Sequence, residues 1–134
     1  MPSKAVKDAV KARLATWSHI TQCPAHDINS LSDAPASIFI DTEYPLGREE
    51  QMSLGSPAVF REEGAIRFVI YLDALDGIDT VLGYVDEVRD LFRNAEFSGL
   101  RCFEASPAVF NASFTVRGFF PVPFVVTYDY DIEK

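Results

Sequence analysis

The stretch Ala65-Ile66-Arg67-Phe68-Val69-Ile70-Tyr71-Leu72-Asp73 decides the fold. In an extended chain Ile66, Phe68, Ile70 and Leu72 point one way, and Arg67, Val69, Tyr71 and Asp73 the other, so period two gathers the apolar side chains. It predicts a strand with one strongly apolar face. Just upstream, Glu63-Gly64 reads as a hairpin turn joining this strand to a shorter one over residues 58–62. Gly55-Ser56-Pro57 breaks the chain before that.

Working outward, residues 37–42 read as a strand with Ile38 and Ile40 on one face. Residues 44–47 read as a turn, and 48–54 as a polar extended arm or edge strand. On the other side, Asp76-Gly77-Ile78-Asp79 opens a helix over residues 79–93, with either aspartate as its cap and Val81, Val85, Val88 and Phe92 as its buried stripe. A first helix over residues 3–20, capped by Ser3, carries Val6, Val10, Leu14 and Trp17 at helical spacing. Residues 94–99 end the second helix. Strands follow over 100–105 and 108–117, then a bend over 118–123 and a last strand over 124–132. The order helix, strands, helix, strands predicts an α+β fold: an antiparallel or mixed β-sheet of about four to six strands with two main helices packed on one face. Val69, Tyr71, Val109, Val125 and Thr127 fall on the face the helices leave open. That half-apolar face is read in two ways: covered by loops of a twisted sheet, or buried against another subunit.

The chain has 134 residues, of which 48% are hydrophobic and 24% charged, with 11 Phe and 5 Tyr. Residues 1–134 therefore make a single domain that buries roughly two-thirds of its unfolded surface without disulfide or metal support. The formal net charge of -8 argues against a phosphate-binding surface, which needs clustered Lys and Arg. The Lys-rich amphipathic N-terminus is unlike a secretory signal, so Cys23 and Cys102 are expected as free thiols in a reducing cytoplasm. The longest apolar runs are too short to span a bilayer, and no membrane partner is expected.

Residue types that carry chemistry are few. His19, Cys23, His26 and Asp27 are metal-ligand types at short spacing, but they lie in one segment, whereas structural zinc sites draw on two separated pairs. A polar helix end with His19 near its negative pole explains them as well. Asp73, Asp76 and Asp79 surround Gly77 without the ligand alternation of a calcium loop, and helix capping accounts for two of them. The sequence holds no Gly-rich phosphate loop and no G-x-S-x-G turn. Glu49-Glu50 and Glu62-Glu63 are adjacent carboxylates, and on strands adjacent residues face opposite ways, which suits no acid–base pair. No catalytic residue, metal or other cofactor is expected.

The run Gln51-Met52-Ser53-Leu54-Gly55, then Phe60-Arg61-Glu62-Glu63-Gly64-Ala65-Ile66-Arg67-Phe68-Val69-Ile70, then Gly77 and a helix from Val81 to Phe92, resembles the tail terminator-like proteins of long-tailed phages and prophages. The similarity continues through Phe103 to Phe124-Val125-Val126-Thr127-Tyr128-Asp129-Tyr130, so it covers the chain from about Ile38 onward, with a compatible first helix. The resemblance implies a small α/β subunit that forms a hexameric ring, caps the finished tail tube and stops its growth. Its partners would be copies of itself, the tail tube protein and the head–tail connector or another neck protein, with DNA passing through the ring unbound. Its place would be the virion, at the tail–neck junction, after assembly in the host cytoplasm. A ring needs two different patches per subunit. Arg48, Glu49, Glu50, Gln51 and Ser53 on the polar arm, with Arg61, Glu62 and Glu63 beside the expected hairpin, are the candidate subunit or tube contacts. Asp129, Asp131 and Glu133 are the candidate acidic lining of the channel. The competing expectations are a head-completion or stopper protein of the neck, a small metal-dependent enzyme built on His19, Cys23 and His26, and a binding module with a groove beside the sheet.

Overall fold

The computed structural model describes residues 3–26, 38–55, 57–72, 77–110, 115 and 118–133. In chain order they form α1 (Lys4–Leu14), β1 (Phe39–Gln51), β2 (Val59–Leu72), α2 (Ile78–Phe92), β3 (Glu96–Phe97), β4 (Leu100–Ala105) and β5 (Phe120–Glu133). The strands make one five-stranded sheet in the order β1-β2-β5-β4-β3, and every neighbouring pair is antiparallel. The α+β expectation, with two main helices over an antiparallel sheet, describes the molecule.

The alternation in β2 does what the sequence predicts. Ile66, Phe68, Ile70 and Leu72 join Val122, Phe124, Val126 and Tyr128 of β5 in one buried cluster. The helical stripes Val6, Val10, Leu14 and Val81, Val85, Val88, Phe92 close over it, with Trp17 beside them. Phe68 lies at the centre, with ring centroids 4.9 Å from Phe92 and 5.4 Å from Phe124. Burying side chains of this size contributes about 1.5–3 kcal/mol each, so the covered face carries most of the fold's stability.

The hairpin expected at Glu63-Gly64 does not exist. β2 runs unbroken through both residues and pairs with β5 from Val59↔Glu133 to Leu72↔Phe120. Gly64 is needed for close approach instead of turning: a Cβ there would sit 2.5 Å from the Leu46 carbonyl oxygen and 2.9 Å from Tyr128 Oη. The chain actually turns between β1 and β2 past Gly55, at φ 104, where Met52 N–H donates to the Val59 carbonyl at 2.7 Å. The turn expected at 44–47 is a β-bulge inside β1, marked by a register shift between Glu43 and Leu46. β1 is an edge strand, and Pro45 is tolerated there because no outer neighbour needs its missing N–H.

Three other boundaries differ from the sequence reading. α1 stops at Leu14 and continues as turns, with Trp17 still buried. The Ser3 hydroxyl does not cap it; Ser3 N–H donates to both Glu62 carboxylate oxygens, at 3.2 and 3.3 Å. Residues 94–99 hold β3 and a two-residue turn, Ser98-Gly99, with φ 51 and 80, as a type I′ hairpin demands. The expected bend over 118–123 is the start of β5. Pro121 and Pro123 fit because β4 reaches β5 only from Val126 onward. Two prolines at i and i+2 point their missing N–H groups to the same, unladdered side, where Val109 N–H bonds the Pro123 carbonyl at 3.1 Å. Residues 106–110 run beside β5 without forming a strand, and the rest of the strand expected over 108–117 falls mainly outside the described residues. So do Asp27, Asp73 and Asp76; Gly77 holds the cap position of α2 and Asp79 lies in its first turn.

Candidate assembly surface

The second face of the sheet divides along its length. At the β1 start, Phe39, Val69 and Tyr71 form a small buried cluster with Phe119 packed on it, and the Phe39 and Tyr71 rings stack at 5.0 Å. This part is covered within the chain. Toward the far end of β2 the same face becomes polar. Past the bulge, register places Leu46 opposite Ala65 and Ala65 opposite Thr127. The next row is Arg48, Glu63, Asp129 and Arg101, and the one after it Glu50, Arg61 and Asp131.

These charged rows are linked. Arg61 Nε donates to Asp131 Oδ1 at 2.9 Å, Arg101 Nε to Asp129 Oδ1 at 2.6 Å, and Arg101 Nη2 crosses to Asp131 Oδ2 at 3.0 Å. Arg48 Nη2 lies 3.0 Å from Glu50 and 3.5 Å from Glu63. Arg67 and Glu43 form a further pair nearer the buried cluster. The hydrogen bond from Arg61, with a second from Arg101, holds the Asp131 carboxyl below the usual carboxylate range, and those carboxylates raise both guanidinium pKa values further. The result is two neighbouring ion networks, one on β1 and β2 and one on β2, β5 and β4, whose charges nearly cancel. Isolated surface pairs contribute little; a network with fixed geometry is stiffer and presents a defined pattern of donors and acceptors.

The candidate residues separate on this frame. Arg48, Glu50, Arg61 and Glu63 share the open face. Glu49 and Gln51 are exposed on β1, and Gln51 Nε2 donates to the Ser53 carbonyl at 3.0 Å. Ser53 Oγ closes the β1–β2 turn by accepting from Val59 N–H at 3.0 Å. Glu62 departs from the expectation. It points to the helix side, is only 8% exposed, and accepts from Ser3 N–H and from Tyr128 Oη–H at 2.9 Å. Two neighbours on a strand cannot share a face, so Glu62 braces α1 against the sheet while Glu63 meets solvent. Asp129 and Asp131 are engaged by arginines, which offsets the negative charge expected of a channel lining, and Glu133 is exposed at the end of β5.

Exposed apolar side chains surround the lattice: Leu46 at 67% and Phe103 at 46% flank it on the open face, and Met52 and Leu54 project near the β1–β2 turn, Leu54 at 90%. The sequence reading placed Met52 and Leu54 in the candidate arm over residues 48–54 without singling them out, and it missed Leu46, Phe103 and Arg101. Leu54 carried a legible signal, a large apolar residue in a polar arm just before Gly55-Ser56-Pro57. Arg101 follows from alternation in β4 once Leu100 and Cys102 are placed inside.

Among the described residues, the outer edge of β1 is covered at its beginning, where Ile40 bonds Pro24 and His26 through backbone groups at 3.0 Å each and pairs in parallel with Ala25. Beside it a groove of about 380 Å³ lies between α1 and β1. Its floor includes Val10, Leu14 and Ile40, Tyr44 lines its side, and exposed Lys7 and Lys11 stand on its α1 rim. Burial pushes the Tyr44 phenol up to about 12.

The His19, Cys23 and His26 side chains serve separate purposes. His19 Nδ1 contacts Glu87 at 2.5 Å, and the same carboxylate accepts from Trp17 Nε1 at 2.9 Å. Cys23 is buried, which pushes its thiol up to about 12, and His26 packs edge-on to Phe39. Cys102 is likewise free, buried and shifted up to about 12 by burial. Among the described residues no group of three or more His, Cys, Asp or Glu side chains could hold a metal ion, and no helix is long and apolar enough to cross a membrane.

No family model matches the chain, and no curated protein matches it. Ten chains of solved structures do. One of them, whose name carries no functional term, is 19% identical, with a TM-score of 0.62 over 97% of this chain and 96% of that one. At that identity the likeness speaks for the fold, over nearly the full length of both chains.

Proposed function

We propose that this chain is a structural subunit that assembles with copies of itself and with other proteins, and that its assembly is the ring that caps a phage tail tube, stops tube growth and receives the head-side connector. The observation that carries the reading is the pairing of a charged, ion-paired sheet face with projecting apolar side chains beside it. Leu46 and Phe103 are exposed beside the ion pairs of one face, and Leu54 projects near the β1–β2 turn, positions from which they can contact a partner. An assembling chain gains from all three: apolar contacts supply affinity, and the lattice sets register and rejects mismatched partners. The resemblance of residues 51–55, 60–70, 81–92 and 124–130, with Gly77 and Phe103, to tail terminator-like proteins supports reading the assembly as that ring. The net charge of -8 suits a ring through which DNA moves without sticking.

The test is tail-tube assembly with and without the purified protein, viewed by electron microscopy. The reading expects ring-shaped density at one tube end and tubes of limited length, with the protein retained on headless tails. Unchanged tube ends and lengths would overturn it, and retention on tailless heads alone would assign the chain to the head-completion side of the neck.

A further inference from the structure

The sheet ends at β1, and the second half of that strand is open on both faces: every residue from Pro45 to Gln51 is exposed. The direction of its backbone groups follows from three hydrogen bonds. Ile40 N–H donates to the Pro24 carbonyl and the Ile40 carbonyl accepts from His26 N–H, so before the bulge the even-numbered residues turn their N–H and C=O outward. The bulge adds one residue to β1 and reverses that order. Met52 N–H accordingly points inward, to the Val59 carbonyl, and Gly47, Glu49 and Gln51 turn their groups to the outer edge. Among the described residues no backbone group meets them there. Side chains alternate in step. Leu46, Arg48 and Glu50 share the open face and Met52 continues the alternation, an order of apolar, cation, anion, apolar that is its own complement when reversed.

We infer that two copies of the chain join edge to edge through β1, antiparallel about a twofold axis at Glu49, so that their sheets continue as one. In that register Glu49 faces the partner's Glu49 and Gly47 faces the partner's Gln51, as hydrogen-bonded pairs that use the outward N–H and C=O groups. Arg48 faces the partner's Glu50 and Leu46 the partner's Met52 in the pairs between, where opposed side chains stand closest. The next hydrogen-bonded alignment either way would set Arg48 against Arg48 or Glu50 against Glu50. Arg48 reaches Glu50 and Glu63 of its own chain through Nη2, at 3.0 and 3.5 Å, and its other guanidinium N–H groups remain for the partner's carboxylate. One cost is built in: the two Glu49 side chains are like charges directly opposite, which keeps the joint weak and reversible. Pro45, with no N–H to give, and the bulge before Leu46 confine the pairing to this segment. The contact is isologous and closes on two copies, so it builds no ring and stands independently of the ring reading.

The test is sedimentation equilibrium of the full chain without tail tubes, joined to cross-linking of single-cysteine variants, since both native thiols are buried and do not compete. The parent chain should show a reversible monomer–dimer equilibrium. Arg48→Glu or Glu50→Arg should weaken it about tenfold, because two facing pairs per dimer become like-charged, and the double exchange should restore it. Glu49→Gln should strengthen it about two- to fivefold. Under mild oxidation Glu49→Cys should link to itself, whereas Arg48→Cys and Glu50→Cys should link in a mixture about tenfold more than either does alone. A chain that stays monomeric at millimolar concentration would overturn the inference. A dimer weakened by Glu49→Gln, or Arg48→Cys linking to itself as well as the mixture does, would overturn this register and with it the proposal. None of these outcomes touches the ring reading, which is decided at tube ends.

Discussion

β2 carries two surfaces on alternate residues of one strand. Its even-numbered residues Ile66, Phe68, Ile70 and Leu72 sit in the dry cluster beneath α1 and α2. Its odd-numbered residues begin buried, at Tyr71 and Val69, and end in solvent, at Glu63 and Arg61. Stability and recognition are thus separated by a single peptide unit, so changes on one face should cost folding and changes on the other should cost assembly. The separation fails at one place, Glu62, where a carboxylate enters the covered face to hold Ser3 and Tyr128.

The largest expected effect tests the covered face. Phe68→Ala should destabilise the fold by about 3–5 kcal/mol, read as a shift in the urea midpoint, because it opens a cavity among rings that cannot all collapse inward. Phe103→Ala on the open face should cost within about 0.5 kcal/mol. Equal costs would mean that the open face is core, and the division would collapse. Next in size is Gly64→Val, at roughly 2–3 kcal/mol, since its Cβ meets the Leu46 backbone, which cannot swing away, as well as the Tyr128 ring. A silent Gly64→Val would show that the bulge in β1 gives way freely. Glu62→Ala follows, on the order of 1–2 kcal/mol, for the unpaired Ser3 N–H and Tyr128 hydroxyl it leaves behind. Glu63→Ala, one residue away, should leave the urea midpoint nearly unchanged, and a reversal of that order would assign the two carboxylates the wrong way round.

The covered face was legible in the sequence because it obeys simple periods. Spacings of two in β2 and of three to four in α1 and α2 named 12 of the 21 buried side chains in the main cluster. The failures came where glycine and proline carry more than one meaning. Glu63-Gly64 has the composition of a turn, but Tyr128 lies over Gly64 in a continuous strand. Pro121 and Pro123 look like a bend, and they are accommodated because that side of β5 has no laddered neighbour. Such facts belong to strand order, which one strand's residues do not encode. The open face was legible in part: Arg48, Glu50, Arg61 and Glu63 could be nominated, but their link to Asp129, Asp131 and Arg101 depends on a register between segments some seventy residues apart. Which of two adjacent glutamates faced solvent could be decided only after Gly64 was placed within a strand.

The smallest expected effect sharpens the account of the lattice. Asp131 accepts from Arg61 and Arg101, and those bonds favour its ionised form over the unfolded chain's ordinary carboxyl, whose pKa is about 3.9. With the folded value depressed, the group's contribution is fully present above the unfolded value and is lost as pH falls through the folded one. Asp131→Asn should therefore be slightly less stable than the parent chain at pH 7, and the two urea midpoints should converge as the solution is taken from about pH 5 toward pH 2. Raising the salt to about 1 M at neutral pH should narrow the gap as well, because the pair is partly exposed and the screening length shrinks to about 3 Å. A gap that persists unchanged in acid and in salt would mean that Asp131 matters through packing and not charge. The open face would then owe its order to shape, as the covered face does.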